Sequence, residues 1–205
     1  VFTALSAAAP LWEGRDTGLK SIRPILLDRY PRCGIPEPIE SAASHLAWLD
    51  TLDRLQVTGP QGVGSVWGHV RWHRTYPTIE VRVFDAQPDL GAVSLLARLC
   101  EAAGRMAQAM DLPTYFAAVQ QPGPTATPLL RENQLLATQQ GVSAPLLHWS
   151  AQRRESVLDQ ARRLLGDDAD SEEAALLEAI RYAPNRATLH RDQRLMPKRQ
   201  QAWGS

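Results

Sequence analysis

Residues 77–85, Pro-Thr-Ile-Glu-Val-Arg-Val-Phe-Asp, alternate apolar and polar positions with a period of two, the pattern of a strand half-buried on one face. Ile79, Val81 and Val83 fall on one side; Thr78, Glu80, Arg82 and Phe84 fall on the other. The run before it, residues 65–73, alternates as well: Trp67, His69, Arg71 and His73 share one face, and Val66, Val70 and Trp72 the other. Arg74-Thr75-Tyr76-Pro77 is a short connection suited to a hairpin. The two runs are thus predicted to pair antiparallel, with His69, Arg71, Glu80 and Arg82 on a shared polar face.

Elsewhere the period lengthens. Val1 to Ala9 read as the end of an apolar helix or a buried segment that Pro10 terminates, and residues 10–24 as a glycine-containing loop, either for a ligand or an ordinary surface connection. Residues 31–38 are proline-rich and turn-like. Leu46, Leu49, Leu52 and Leu55 predict an amphipathic helix from Ser41 to Leu55, stopped by Thr58-Gly59-Pro60. The strongest helix spans Asp89 to about Met110, with Val93, Leu96, Ala97, Cys100 and Ala103 as its apolar stripe. It is expected to pack on the back of the hairpin and bury Ile79, Val81 and Val83. After a linker over residues 122–128, helices are predicted over 129–139, 150–165 (Ser150 as N-cap, Gly166 as stop) and 171–183. Sheet first and helices later give an α+β class rather than an alternating parallel sheet. The chain reads as one domain, 1–205, with sheet and ligand loop in 1–120 and a mainly helical part in 129–205.

Composition narrows the function classes. Basic and acidic residues balance at 22 each, so the global positive field of a nucleic-acid binder is missing. No apolar run reaches the ~20 residues that span a bilayer. The 2 cysteines, Cys33 and Cys100, have neither metal-ligand spacing nor a disulfide framework, which fits a cytoplasmic protein. The basic stretch 186–199 reads as a solvated end. The chemistry concentrates on the polar face of the hairpin. There Glu80 and Arg82 stand roughly 7 Å apart on one strand, at about 3.3 Å per residue. A carboxylate and guanidinium groups so placed suit a metal ion and a phosphoryl group; the same spacing also suits a solvated salt-bridge face. His69 by itself reads as a structural histidine.

The string Thr-Ile-Glu-Val-Arg-Val-Phe-Asp, with Val70-Arg71 upstream, resembles the glutamate–cysteine ligase family, in particular its bacterial carboxylate–amine ligase branch. So do Ala4 through Gly18 (Ala-Leu-Ser-Ala-Ala-Ala-Pro-Leu-Trp-Glu-Gly-Arg-Asp-Thr-Gly), Ser21-Ile22-Arg23, and the turn Tyr30-Pro31-Arg32-Cys33-Gly34-Ile35-Pro36. The resemblance implies part of a glutamine-synthetase-like antiparallel sheet packed with helices. It implies an ATP- and magnesium-dependent ligase that activates the γ-carboxylate of glutamate as an acyl phosphate for attack by an amine such as cysteine. In these terms Glu80 and Arg82 are catalytic, with Glu80 also a magnesium ligand. Arg23, Arg15 and Thr17 bind substrate, and Arg71, Asn133 and Arg194 bind ATP.

The departures qualify this. The family's first half, with its further metal ligands, is missing, which implies a fragment, or one subunit of an oligomer completed by a second chain or segment. Gly68-His69 stands where an aromatic residue and an acid are common, and residues 134–140 differ from the family pattern. The alternative reading is a non-catalytic binding or scaffolding remnant of the same fold that partners a catalytic chain.

Overall fold

The computed structural model describes residues 1–36, 39, 41–73, 76–87, 89–111, 113, 126–148, 153–166 and 171–182. Helix α1 (Phe2–Ser6) ends well before Pro10. A hairpin of β1 (Leu11–Trp12) and β2 (Arg15–Asp16) follows. Glu13 and Gly14 turn it with φ of 45° and 82°, the two successive positive values of a type I′ turn. The expected ligand loop is therefore a tight hairpin with a short tail into α2 (Arg23–Asp28), whose first turn carries Pro24. Then come β3 (Cys33–Gly34), α3 (Ala42–Arg54) and a 3-10 segment over Gly59–Ser65. Ser41 and Ser44 cap α3 reciprocally.

The predicted hairpin forms. β4 (Trp67–Gly68) pairs in parallel with β3, the chain bends at His69, and β5 (Val70–Trp72) pairs antiparallel with β6 (Ile79–Val81). The register sets Arg71 opposite Glu80. Next is α4 (Leu90–Ala109), capped by the Asp89 side chain on the Ala92 amide. α5 (Ala126–Gln140) and a 3-10 turn at Gly141–Ser143 lead to β7 (Pro145–His148) and β8 (Arg153–Ser156), an antiparallel pair. α6 (Val157–Leu165) and α7 (Ser171–Tyr182) complete the described chain. The class is α+β, with the described strands in two-stranded sheets.

Several expectations need correction. The helix predicted over 150–165 starts only at Val157. Pro145–His148 and Arg153–Ser156 pair as strands, and Ser156 caps the helix by accepting from the Asp159 amide. The predicted N-cap, Ser150, lies outside the described residues; Gly166 does end the helix, at φ 75°. Of the predicted linker, residues 122–125 lie outside the described residues and the rest already belongs to α5. The buried face of α4 is Ala92, Leu95, Leu96, Leu99 and Ala102, whereas Val93 is exposed. The true face lies about one residue round from the predicted one because it collects three leucines, whose burial outweighs that of alanine and cysteine.

Nor does α4 cover the hairpin. It packs on α1, α6 and α7. The core joins Leu5 of α1, Leu95 and Leu99 of α4, Leu136 of α5, Leu146 of β7, Val157 and Ala161 of α6, and Leu177 of α7. The hairpin's apolar side is only partly buried: Val83 is buried, while Ile79 is 69% exposed. The site therefore sits beside a helical core rather than over one.

Two outcomes test this layout. Leu99→Ala should cost about 2–5 kcal/mol by urea unfolding, and Ile79→Ala less than about 0.5 kcal/mol; comparable losses would put the hairpin back in the core. The second concerns Glu155, which pairs with Arg163 and Arg153. The Arg163 hydrogen bond, helped by Arg153, overcomes the opposing effect of burial and pulls its pKa from 4.5 to about 2. A depressed carboxyl pKa gives stability that is present above the unfolded value and lost as pH falls through the folded one. Between pH 4.5 and about 2, the urea midpoint of the native chain should fall more steeply than that of Glu155→Gln; parallel curves would contradict the pairing.

Candidate functional site

The side chains of the hairpin meet as its register requires. Arg71 Nε donates to Glu80 Oε2 at 2.7 Å. Arg82 lies two residues beyond Glu80, just past the end of β6, and on the same face by period two; its Nη1 donates to Glu80 Oε1. Each carboxylate oxygen thus accepts from one guanidinium. Neighbouring groups fix both arginines. Arg71 Nη1 also donates to the Val66 carbonyl at 3.3 Å. The Trp67 ring stacks on Arg82, with Cζ 5.3 Å from its centroid, a cation–π contact. Trp67 is itself held by Nε1 donating to the Gly64 carbonyl at 2.6 Å. The turn before the strand therefore orients the charged face.

Burial opposes ionisation of Glu80, but the hydrogen bonds and charges of Arg71 and Arg82 outweigh it and hold the carboxyl below its ordinary 4.5. It is ionised at neutral pH. Two guanidinium groups set against one carboxylate leave a surplus of positive charge. Arg82 Nε is buried with no hydrogen-bond acceptor, so the cluster also has a spare donor. The natural complement is an oxyanion such as phosphate or carboxylate.

Arg23 joins the group from α2. Its Nε donates to the Arg82 carbonyl at 3.3 Å. Asp85 places it there. That carboxylate accepts from the Ala8 amide at 2.7 Å, the Ala9 amide at 3.0 Å and the Ser21 hydroxyl at 3.0 Å, fixing the start of α2 against the end of the hairpin. Burial pushes the Asp85 pKa up, with the Ala8, Ser21 and Ala9 hydrogen bonds opposing. Sequence reasoning assigned Asp85 no role. The available signal was an acid closing an apolar strand, a position that needs several donors once buried.

The remaining predicted residues fall elsewhere. Thr17 donates to the Pro10 carbonyl at 2.6 Å, inside its own loop. Arg15 is exposed on β2. Asn133 clamps β7 to α5, donating to the Leu147 carbonyl at 2.8 Å and accepting from its amide at 2.6 Å. Arg194 lies outside the described residues. The structure thus brings Arg23, Arg71, Glu80 and Arg82 together. Arg71, His69 and Asn133 line one open cavity of about 1140 Å³ whose wall is otherwise largely apolar. Among the described residues no three His, Cys, Asp or Glu side chains converge as a metal site, and no helix is long and apolar enough to cross a membrane.

Known proteins are similar to this chain in sequence. The chain is 33% identical over 172 residues to a Rubrobacter xylanophilus protein named "Putative glutamate--cysteine ligase 2-3", covering 81% of this chain and 42% of that protein. A Ruegeria pomeroyi protein named "Putative glutamate--cysteine ligase 2" is 31% identical over 199 residues, 92% of this chain and 49% of its own length. One of the same name from Pseudomonas fluorescens is 33% identical over 172 residues, 82% of this chain and 42% of its own length. The chain spans about half the length of these curated relatives. The profile of glutamate-cysteine ligase family 2 matches residues 1–204, and the chain belongs to that family.

Proposed function

We propose that this chain supplies the arginine-lined wall of an ATP-dependent carboxylate–amine ligase, acting on a glutamate γ-carboxylate and an amine such as cysteine. The observation that carries the reading is the Arg71–Glu80–Arg82 cluster, with its surplus positive charge and the spare donor on Arg82. Activating a carboxylate with ATP brings anionic groups together, and the protein's task is to neutralise and position them. Arg71 and Arg82 would hold phosphoryl oxygens. Arg23, steadied against the Arg82 main chain, would hold the substrate carboxylate. A γ-carboxylate oxygen attacks the γ-phosphorus of ATP and ADP leaves; the neutral amine then attacks the carbonyl carbon of the acyl phosphate, gives up a proton and expels phosphate. Glu80 keeps the two guanidinium groups at a fixed separation.

Magnesium is a poorer fit to the described residues alone. Both Glu80 oxygens are taken by arginines, and no third acidic or imidazole ligand converges on them. A magnesium role for Glu80 therefore goes with carboxylates from a second chain or segment, which would complete both the site and a glutamine-synthetase-like sheet in a cytoplasmic oligomer. The same lack of converging ligands supports the competing reading, a binding or scaffolding remnant that partners a catalytic chain.

Glutamate-dependent ADP release by the purified assembly decides between them. The ligase reading expects release with the native chain. It expects a loss of about 10²–10³-fold in kcat for Arg82→Ala, the size of removing one preorganised donor to developing charge. Far-UV circular dichroism should show Arg82→Ala folded. No glutamate-dependent release from the native assembly, or full turnover by Arg82→Ala, contradicts it.

A further inference from the structure

A second polar cluster lies beside the arginines and is unused by the proposal above. Asp28 ends α2. One oxygen of its carboxylate accepts from Gln134 Nε2 of α5 at 2.5 Å. The other lies 3.5 Å from His69 Nε2, on the bend between β4 and β5. Two atoms here have no hydrogen-bond partner, His69 Nε2 and Gln134 Oε1. Both side chains are more than nine-tenths buried, with His69 6% and Gln134 9% exposed, and both line the cavity that Arg71 also lines. The Asp28 side chain is 41% exposed, so solvent reaches the carboxylate.

The backbone is shaped around this carboxylate. At Gly34, φ is +89° and an added Cβ would stand 2.4 Å from Asp28 Oδ1. Any larger residue would displace the acid. The His69 amide donates to the Gly34 carbonyl at 2.7 Å, locking the strand bend to the same turn. A buried polar atom left without a partner is unfavourable to the fold. Two such atoms on residues that line one cavity, beside a half-open carboxylate, point to a place for a ligand.

The chemistry of the set selects the ligand. Gln134 presents a carbonyl oxygen, because its amide nitrogen is spent on Asp28. Asp28 presents a carboxylate. Burial is the main influence on His69 and lowers its pKa; Asp28 opposes this and Arg23 adds to it, so the imidazole is neutral near pH 7. The cluster is thus rich in acceptors and negative on balance, unlike the arginine face next to it. Asp28 disfavours an anion, and one carboxylate with one imidazole is too few ligands for a metal. A primary ammonium has three donors and one positive charge.

We propose that Asp28, Gln134 and His69 form a binding subsite for the ammonium group of a primary alkylamine. Assigning that amine as the nucleophile of the ligase rests on the function proposed above; the binding itself does not. His69 and Gln134 line the same cavity as Arg71, so an amine held by the acceptors and an oxyanion held by the arginine would share one space.

The test uses the full chain labelled at histidine nitrogens. Its His69 signals are followed by NMR at about pH 7 during titration with n-butylammonium chloride, and with sodium n-butyrate at matched ionic strength. The expected result is a saturable shift of the His69 signals with butylammonium and none with butyrate. Asp28→Asn should weaken the apparent affinity about tenfold, the loss of one charge-assisted contact. Equal responses to both ions, no saturable shift, or undiminished affinity in a folded Asp28→Asn chain would overturn the subsite. If Asp28→Asn fails to fold, the contrast between the two ions in the native chain decides alone. The titration contains no ATP or glutamate, so a ligase reading that failed for want of ADP release would leave its expected result unchanged.

Discussion

The Asp85 carboxylate is the joint on which the site depends. It follows β6 and Arg82 along the chain, and it takes donors from Ala8, Ala9 and Ser21. Ala8 and Ala9 follow α1, whose Ala4 and Leu5 lie in the helical core. Ser21 precedes α2, which carries Arg23 and Asp28. One buried acid therefore connects the core, the charged hairpin and the helix that carries Arg23 and Asp28. Gln87 reinforces the joint, donating to the Ser6 carbonyl at 2.9 Å. Without it, a hairpin that keeps Ile79 exposed would have little apolar contact to hold it in place.

The charged face is balanced so that it stays available. The Glu80 side chain is 38% exposed and those of Arg71 and Arg82 about half that. Solvent screening makes such pairs worth little to stability, and a polyanion can compete for the arginines at modest cost. Glu80 then keeps two like charges side by side before the anion arrives. This separates the face from the Glu155 cluster on β8, where the carboxylate side chain is far less exposed and its pairing serves to hold β8 against α6.

Period-two alternation revealed the hairpin and the shared face of Arg71, Glu80 and Arg82, because those contacts are local or one strand away. The stop at Gly166 was legible for the same reason, being a one-turn feature. The packing of α4 was not legible. Two overlapping apolar stripes run along it, and only contacts with α1, α6 and α7, distant in sequence, choose between them. Pro145–His148 was missed because four residues with two leucines show no period. Asn133 and Thr17 carry polar groups suited to a ligand, yet both turn to nearby backbone carbonyls. Asp28 and Gln134 are 106 positions apart, a spacing no local pattern announces.

The central claim is that the hairpin face is an oxyanion site built by Arg71 and Arg82 around Glu80. Isothermal titration calorimetry of inorganic triphosphate into the full chain, across a series of salt concentrations, tests it most directly. The account predicts binding that weakens as salt rises and disappears in the folded Arg71→Gln/Arg82→Gln double variant. Binding of undiminished affinity in that variant, or none to the native chain at low salt, would contradict it.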